Sequence, residues 1–453
     1  MAGPPGKRII IIGGGASGVL MACHLLRDHR DEFVVTLIER RAEVGPGVAY
    51  STDNPNHLLN VRAANMSAYA DDPEHFWRWA SQQPGNRRLC PDPYCFVERG
   101  VYGRYVAGLL HAYRGEGADA RLHIVQGECR AVSDRPGGIA VTLDNGATHI
   151  GQFVIVATGS DSYGFASEGD YDSPWAESSF RNLDPALPIL VLGTGLTMVD
   201  YVLSLVNAGH LGPIFAMSRR GLLPQVHAQV PAEKISKDDV PFSRPPGAFS
   251  GWLRKRIAAH VASGGDWRGV IDGLRPFTQE IWWTFSKSAK RRFLEHARSW
   301  WDVHRHRIAP ETNDKLKAIM ASRQLEVAAA RFLGEKQVSG ATEFSFRRRG
   351  VVAAETLKVQ KIIDCRGIVS NPAKSANPLM RSLLDQGLAR VDQLAIGLDI
   401  SLDSAVIDAT GTASRRLFAI GPVSRAAFWE VVAVPDIRTQ CAKLARHLKF
   451  SGT

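Results

Sequence analysis

The sequence predicts an α/β protein built on two parallel sheets, and three stretches carry that prediction. Arg8 to Gly18 reads RIIIIGGGASG, in which an apolar run from Ile9 to Ile12 meets Gly13, Gly15 and Gly18 at G-x-G-x-x-G spacing. That is the pattern of a buried strand turning sharply into a helix. Ile189 to Leu192, followed by Gly193-Thr194-Gly195-Leu196-Thr197, repeats the theme. Leu417 to Ile420 is a further buried strand that ends on Gly421. A glycine turn at a helix N-terminus gathers free amides and positive dipole, and a pyrophosphate fits there. The reading is therefore two Rossmann-like dinucleotide-binding domains. The first is discontinuous, at residues 1–185 and 355–453, and the second, at 186–354, is inserted into it with a basic helical insertion at about 230–315.

At 453 residues and 45% hydrophobic content the chain is long enough for two or three cores. Six cysteines (Cys23, Cys90, Cys95, Cys129, Cys365 and Cys441) are few and scattered, which suits a reducing cytoplasm better than a disulfide framework. Lys7 and Arg8 before an apolar stretch imitate a signal peptide, but three glycines interrupt it, so it reads as mature fold. No run reaches the length of a membrane span. A cytoplasmic protein with no membrane partner is expected. The formal charge of +10 asks for anionic partners, and nucleotides suffice. Nucleic acid is not expected, because zinc-finger spacing and RNA-recognition motifs are both missing from the sequence.

In chain order, Phe33 to Ile38 reads as the second strand, and Glu39 stands at its end, 21 positions after Gly18, where an acid takes a ribose hydroxyl pair. The next segment, rich in Gly, Pro and Asn, is a long excursion that leaves the cofactor strand directly. Its Leu58-Leu59-Asn60-Val61 and Met66 put apolar and amide groups side by side, as a flat heterocycle with a polar edge requires. Helices follow at Pro73 to Trp79 and Val101 to His111. Between them Cys90 and Cys95 form a C-x4-C pair, but Pro91 and Pro93 oppose a helix there, so redox chemistry is the minor reading of the pair. Short strands are expected at Leu122 to Val125, Ile139 to Leu143 and Phe153 to Val156, the last delivering Ala157-Thr158-Gly159 beside a bound dinucleotide.

In the second unit Met198 replaces the third glycine, so helix and strand must sit farther apart there. Pro213 to Ser218 is its next strand, and Arg219-Arg220 stands where the first unit has Glu39. Two guanidiniums would bind a 2′-phosphate that a carboxylate would repel, so this unit prefers NADPH, with NADH as the alternative. Ser286 to Arg307 carries seven Lys or Arg against two acids, interleaved with Phe293, Trp300 and Trp301. It reads as amphipathic helix with packed tryptophans and solvated charges. His304 and His306 are not at i, i+4 spacing, and metal binding is not expected. Further strands are read at Leu325 to Val327, Phe344 to Arg347 and Lys361 to Cys365, and a last helix from about Pro435 to Leu448.

With these pieces placed, the chain resembles the two-dinucleotide flavoproteins, and within them the FAD/NAD(P)-binding proteins akin to flavin N-hydroxylases and Baeyer–Villiger-type monooxygenases. Beyond the glycine turns, the resemblance rests on Gly45-Pro46-Gly47-Val48-Ala49-Tyr50 and His57-Leu58-Leu59-Asn60-Val61. It rests also on Trp301-Asp302-Val303-His304-Arg305-His306-Arg307, Phe428-Trp429-Glu430 and Pro435-Asp436-Ile437-Arg438. It implies FAD held by Gly13, Gly15, Ser17, Gly18, Glu39, Arg40, Asn60, Val61, Met66, Ala157, Thr158, Gly159, Gly421, Pro422 and Trp429. NADPH would be held by Gly193, Thr194, Gly195, Leu196, Thr197, Arg219 and Arg220. The implied activity is an NADPH-using monooxygenase that hydroxylates a small substrate, heteroaromatic or amine, with molecular oxygen through a flavin C4a-peroxide. Asn60 is then placed at the reactive edge of the flavin, and Trp429 and Glu430 near its pyrimidine end. Gly421-Pro422 departs from the Gly-Asp of many relatives, which removes a carboxylate for the ribityl chain. The alternatives are a flavoprotein reductase that uses Cys90 and Cys95, and an FAD redox sensor that docks through its basic helices.

Overall fold

The fold is that of a computed structural model, which describes residues 6–28, 32–84, 90–114, 121–159, 171–174, 179–338, 340–366 and 371–450. In chain order the strands are β1 (Lys7–Ile12), β2 (Phe33–Glu39), β3 (Leu122–Gln126), β4 (Cys129–Arg135), β5 (Gly138–Leu143), β6 (Thr148–Gly151) and β7 (Phe153–Val156). There follow β8 (Ile189–Leu192), β9 (Ile214–Ser218), β10 (Leu325–Val338), β11 (Ala341–Arg348), β12 (Glu355–Val359), β13 (Lys361–Asp364), β14 (Ala405–Ile407) and β15 (Ala413–Ala419). They form three sheets: β14-β15-β7-β1-β2-β3, β12-β11-β10-β9-β8-β13, and the antiparallel β4-β5-β6.

Why β1 is a run of isoleucines follows from its place. It pairs in parallel with β2 on one side and β7 on the other, and Ile9 to Ile12 are all under 5% exposed. A strand covered on both faces keeps no polar alternation. Each such side chain contributes about 2 kcal/mol by leaving water. Helices Ala16–Asp28 and Val434–Phe450 pack against each other over this sheet and close the largest core. The second sheet repeats the plan, with β8 between β13 and β9. Its two faces carry separate cores, one under helix Leu196–Asn207 and one around Phe215, Phe344 and Phe346.

The helical segment is pieced together from Pro246–Ala262, Trp267–Leu274, Thr278–Thr284, Lys287–Arg292 and Arg298–Arg305, with a π-helical turn at Phe293–Ala297. It has a small core of its own in Val240, Phe249, Leu274, Ile281 and Phe285, which explains its aromatic content. No helix among the described residues is long and apolar enough to cross a membrane.

Three sequence expectations need correction. The boundary expected at 354/355 falls inside the second sheet, because β12 and β13 still belong to it and Ile362 and Ile363 pair with Leu190 and Val191. A strand was needed on the far side of β8, and β13 supplies it. The strands β4, β6, β12 and β14 escape the pattern because each is short or carries polar side chains on a solvated face, as in CRAVSDR of β4. Cys90 and Cys95 are not free thiols but a disulfide with Cα atoms 5.1 Å apart, a spacing within the range that a disulfide bridges.

Candidate active site

The C-terminal ends of β1, β2, β7 and β15 converge. Gly13 N donates to Ile38 O at 2.9 Å, Ala157 N to Ile12 O at 2.8 Å, and Ile420 N to Val156 O at 3.0 Å. Gly13 has φ +108°, and a Cβ there would lie 2.6 Å from Ala157 O. Any side chain would therefore push β7 away from the turn. The second unit repeats this nearly atom for atom: Gly193 has φ +111°, and its Cβ would lie 2.5 Å from Cys365 O. The parallel between Ala157-Thr158-Gly159 and the Cys365 turn is thus geometric. At the third position the units part, since a Cβ on Gly18 would meet Gly13 O at 1.8 Å while Met198 is fully buried in the equivalent place.

Glu39 closes the first turn. Its Oε2 accepts from Gly14 N at 2.6 Å and its Oε1 from Arg41 N at 3.0 Å. Arg40 turns outward to Glu128, 4.0 Å away. Ser17 is 6% exposed and lies under Gly421, whose N donates to Gln440 Oε1 at 2.9 Å; Gly421 and Pro422 are the first residues of a short helix, Gly421–Ser424. Thr158 and Gly159 are half-buried at the end of β7. In the second unit, Gly195 is exposed and Leu196 and Thr197 open the helix, while Thr194 Oγ1 donates to Leu222 O at 2.7 Å. Arg219 is exposed. Arg220 is not equivalent to it: Nη2 donates to His296 O at 2.7 Å, and the guanidinium lies 5.8 Å from the Trp300 ring centre. Trp300, expected to pack, is 46% exposed under that cation.

The excursion after β2 bridges the two units. Asn60 O accepts from His227 Nε2 at 3.0 Å, and Arg62 donates to Ala228 O at 2.7 Å. Val61 packs half-buried against the first core and Met66 is 2% exposed. His227 is held neutral, its pKa drawn down to about 4 by burial, with Arg307, Arg62 and Arg305 adding to the effect against the Asn60 carbonyl. Its Nε2 proton goes to Asn60, which leaves Nδ1 as an acceptor. Arg307 is 2% exposed and donates to Asp272, while its Nε and Nη1 are buried without partners.

Glu430, 8% exposed, accepts from Trp301 Nε1 and from Arg305 Nε, the latter at 3.0 Å. Trp282 Nε1 donates to Ala426 O at 2.9 Å and Trp283 Nε1 to Ala427 O at 2.6 Å. Three indoles of the insertion therefore grip the segment that carries Trp429. That ring stacks on Trp282 at 4.6 Å, and its Nε1 is buried with no partner. A cavity of about 570 Å³ lies alongside, walled by Arg275, Trp429, Glu430, Asp436 and Arg438.

The expected residues thus form two clusters at strand ends, joined by Asn60 and by the Trp429–Glu430 segment. The site fits dinucleotides on two counts: each glycine turn leads directly into a helix N-terminus, whose first amides have no intrahelical acceptor, and Arg307 and Trp429 keep buried donors without hydrogen-bond partners. Sequence reasoning missed His227, Arg99 and Arg305. Arg305 stood in a quoted motif without a role, and a lone histidine beyond a strand carries no pattern that would single it out.

Residues 10–161 match the family model described as FAD-NAD(P)-binding. No curated protein matches the chain. Among solved structures, the ornithine N-hydroxylase of Kutzneria sp. 744, with reduced FAD, NADP+ and L-ornithine, is 14% identical with TM-score 0.65 over 98% of this chain and 99% of that one. The L-lysine 6-monooxygenase of Pseudomonas syringae is 13% identical with TM-score 0.66 over 99% and 100%. The bacillithiol disulfide reductase of Bacillus cereus is 13% identical with TM-score 0.53 over 98% of each chain. The fold is that of flavin N-hydroxylating monooxygenases and related flavoprotein reductases.

Proposed function

We propose that the chain is an FAD-dependent, NADPH-using monooxygenase that hydroxylates a small substrate, with amines the first class to test. The observation that supports this reading best is the pair of near-superposable glycine turns with opposite exits, Glu39 at one and Arg219 at the other. FAD bound at the first turn would supply the hydride acceptor and the oxygen chemistry. The protein's own tasks are binding, orientation and exclusion of water. The first amides of helix Ala16–Asp28, behind the Gly13 turn, would take the first pyrophosphate, and the Glu39 carboxylate would take its ribose. Helix Leu196–Asn207, behind the Gly193 turn, would do the same for NADPH, with Arg219 pairing to the 2′-phosphate. Arg220 braces the insertion through His296. Asn60 is held at the junction by His227, which stays neutral and leaves Nδ1 as a hydrogen-bond acceptor. Trp282, Trp283 and Trp301 fasten the insertion over the C-terminal segment.

The test is to reduce the purified yellow protein anaerobically with NADPH, then mix it with oxygen in the presence of ornithine, lysine, cadaverine and a urate-type ring. Hydroxylated product in proportion to NADPH consumed supports the reading. Stoichiometric hydrogen peroxide with every candidate, together with rapid reduction of a disulfide or quinone acceptor, turns it to a reductase.

A further inference from the structure

Cys90 and Cys95 are reactive groups that the two nucleotide sites leave unused. They are joined as a disulfide, whereas Cys23, Cys129, Cys365 and Cys441 are free and buried. Burial pushes the Cys23 and Cys129 thiols up to about 12. A thiol held that high is a poor nucleophile at neutral pH, so exchange chemistry falls to the bonded pair. The two residues differ in exposure: Cys95 is half-buried and Cys90 is 2% exposed.

The position of the bond ties it to the junction. Leu59 N donates to Val97 O at 2.8 Å, Ala63 N to Cys95 O at 3.1 Å, and Ala64 N to Pro93 O at 2.8 Å. The stretch that carries Asn60 is thus laced to the stretch that ends the disulfide loop. The Arg62 guanidinium faces the rings of Tyr94 at 5.5 Å and Phe96 at 5.9 Å. Phe96 in turn lies 5.0 Å from the His227 ring. The disulfide therefore holds one wall of the contact between Asn60 and His227.

We propose that Cys90–Cys95 is a second redox site, opened by a dithiol donor, and that its opening loosens the Asn60–His227 junction. The donor thiolate attacks Cys95 Sγ, on the more exposed residue of the pair. The S–S bond breaks, and Cys90 leaves as thiolate and takes a proton. The second donor thiol then attacks the mixed disulfide, the donor sulfurs join, and Cys95 is released as a thiol. Two electrons and two protons pass from donor to protein. Nothing in this step needs flavin, so the inference stands or falls apart from the monooxygenase reading.

The experiment titrates thiols in denaturant on the aerobically purified full chain. Four should react before dithiothreitol and six after it, the six cysteines of the chain less the bonded two. In the native protein, dithiothreitol should then raise amide hydrogen exchange at residues 58–64 and 93–98 by about tenfold, with or without FAD. Cys95→Ser, at the half-buried position, should show the fast exchange from the start and no response to dithiothreitol; Cys90→Ser is the second variant. Six reactive thiols before reductant, or unchanged exchange at 58–64 after reduction, overturns the proposal.

Discussion

Arg99 Nη1 stands 2.7 Å from Asp200 Oδ2 across the seam between the excursion and the second unit, with the side chains 14% and 11% exposed. Arg99 opens helix Arg99–Gly108, and Asp200 lies on helix Leu196–Asn207, directly behind the second glycine turn. His57 extends the link, its Nδ1 2.9 Å from Thr52 Oγ1 and its Nε2 2.6 Å from Ser204 Oγ. The second turn is thereby fixed relative to the stretch that carries Asn60.

Removing one member of a buried ion pair strands the other charge, at a cost of about 3–5 kcal/mol. Arg99→Ala and Asp200→Ala should each lower the urea midpoint accordingly. In the double variant the losses should fall short of their sum by about 1–3 kcal/mol, since the second substitution removes an already stranded charge. Fully additive losses would show that the two residues act separately.

The two glycine turns should be separable by substitution. Gly13→Ala places a Cβ 2.6 Å from Ala157 O, so the purified variant should lose bound FAD, read from its visible absorbance. Gly193→Ala meets Cys365 O at 2.5 Å and should keep FAD while weakening NADPH by about tenfold or more. FAD retained by the first variant would show that its turn is not the flavin site.

Arginines 219 and 220 should behave differently despite their adjacency. Arg219→Ala should raise the NADPH KM by about tenfold and leave NADH unchanged, because one charge-assisted pair to a phosphate is worth about 1.5–3 kcal/mol. Arg220→Ala removes the donor to His296 O and should affect both nicotinamides alike, with a lower melting temperature. Identical coenzyme profiles for the two variants would contradict this division.

Acid should loosen the junction before it unfolds the sheets. The folded chain holds His227 at about 4 against an ordinary 6.5, so between those values the unfolded chain binds more protons. The stability this residue contributes is complete above pH 6.5 and is lost as pH falls toward 4, by up to about 3 kcal/mol. His306, drawn down to about 4 by burial and by Arg305, acts in the same sense. His227→Gln should flatten the fall of melting temperature between pH 6.5 and 4; an unchanged slope would assign it to other groups.

Much of this was written in the sequence because backbone constraints are local. A parallel central strand must be apolar and its turn must be glycine, so β1, β8, Gly13 and Gly193 could be read directly. The charge difference between Glu39 and Arg219 was equally legible, since both stand one step beyond a recognisable strand. What could not be read was pairing across distance. Nothing near Arg220 shows that it serves His296, and nothing near Glu430 shows that Trp301 and Arg305 occupy both its oxygens. The boundary near 355 was misplaced for the same reason: β13 joins β8 by register, and register leaves no mark on composition.

The order of the first sheet has a consequence for synthesis on the ribosome. β7 ends at Val156, yet its second neighbour, β15, begins at Ala413. At ordinary translation speeds the intervening residues take on the order of 10–50 s to appear. Through that interval β7 is an open edge of bare amides and carbonyls, able to pair with a neighbouring chain. The nascent protein is therefore most vulnerable to aggregation while its second unit is being made, and co-translational chaperone occupancy should peak between those two strands.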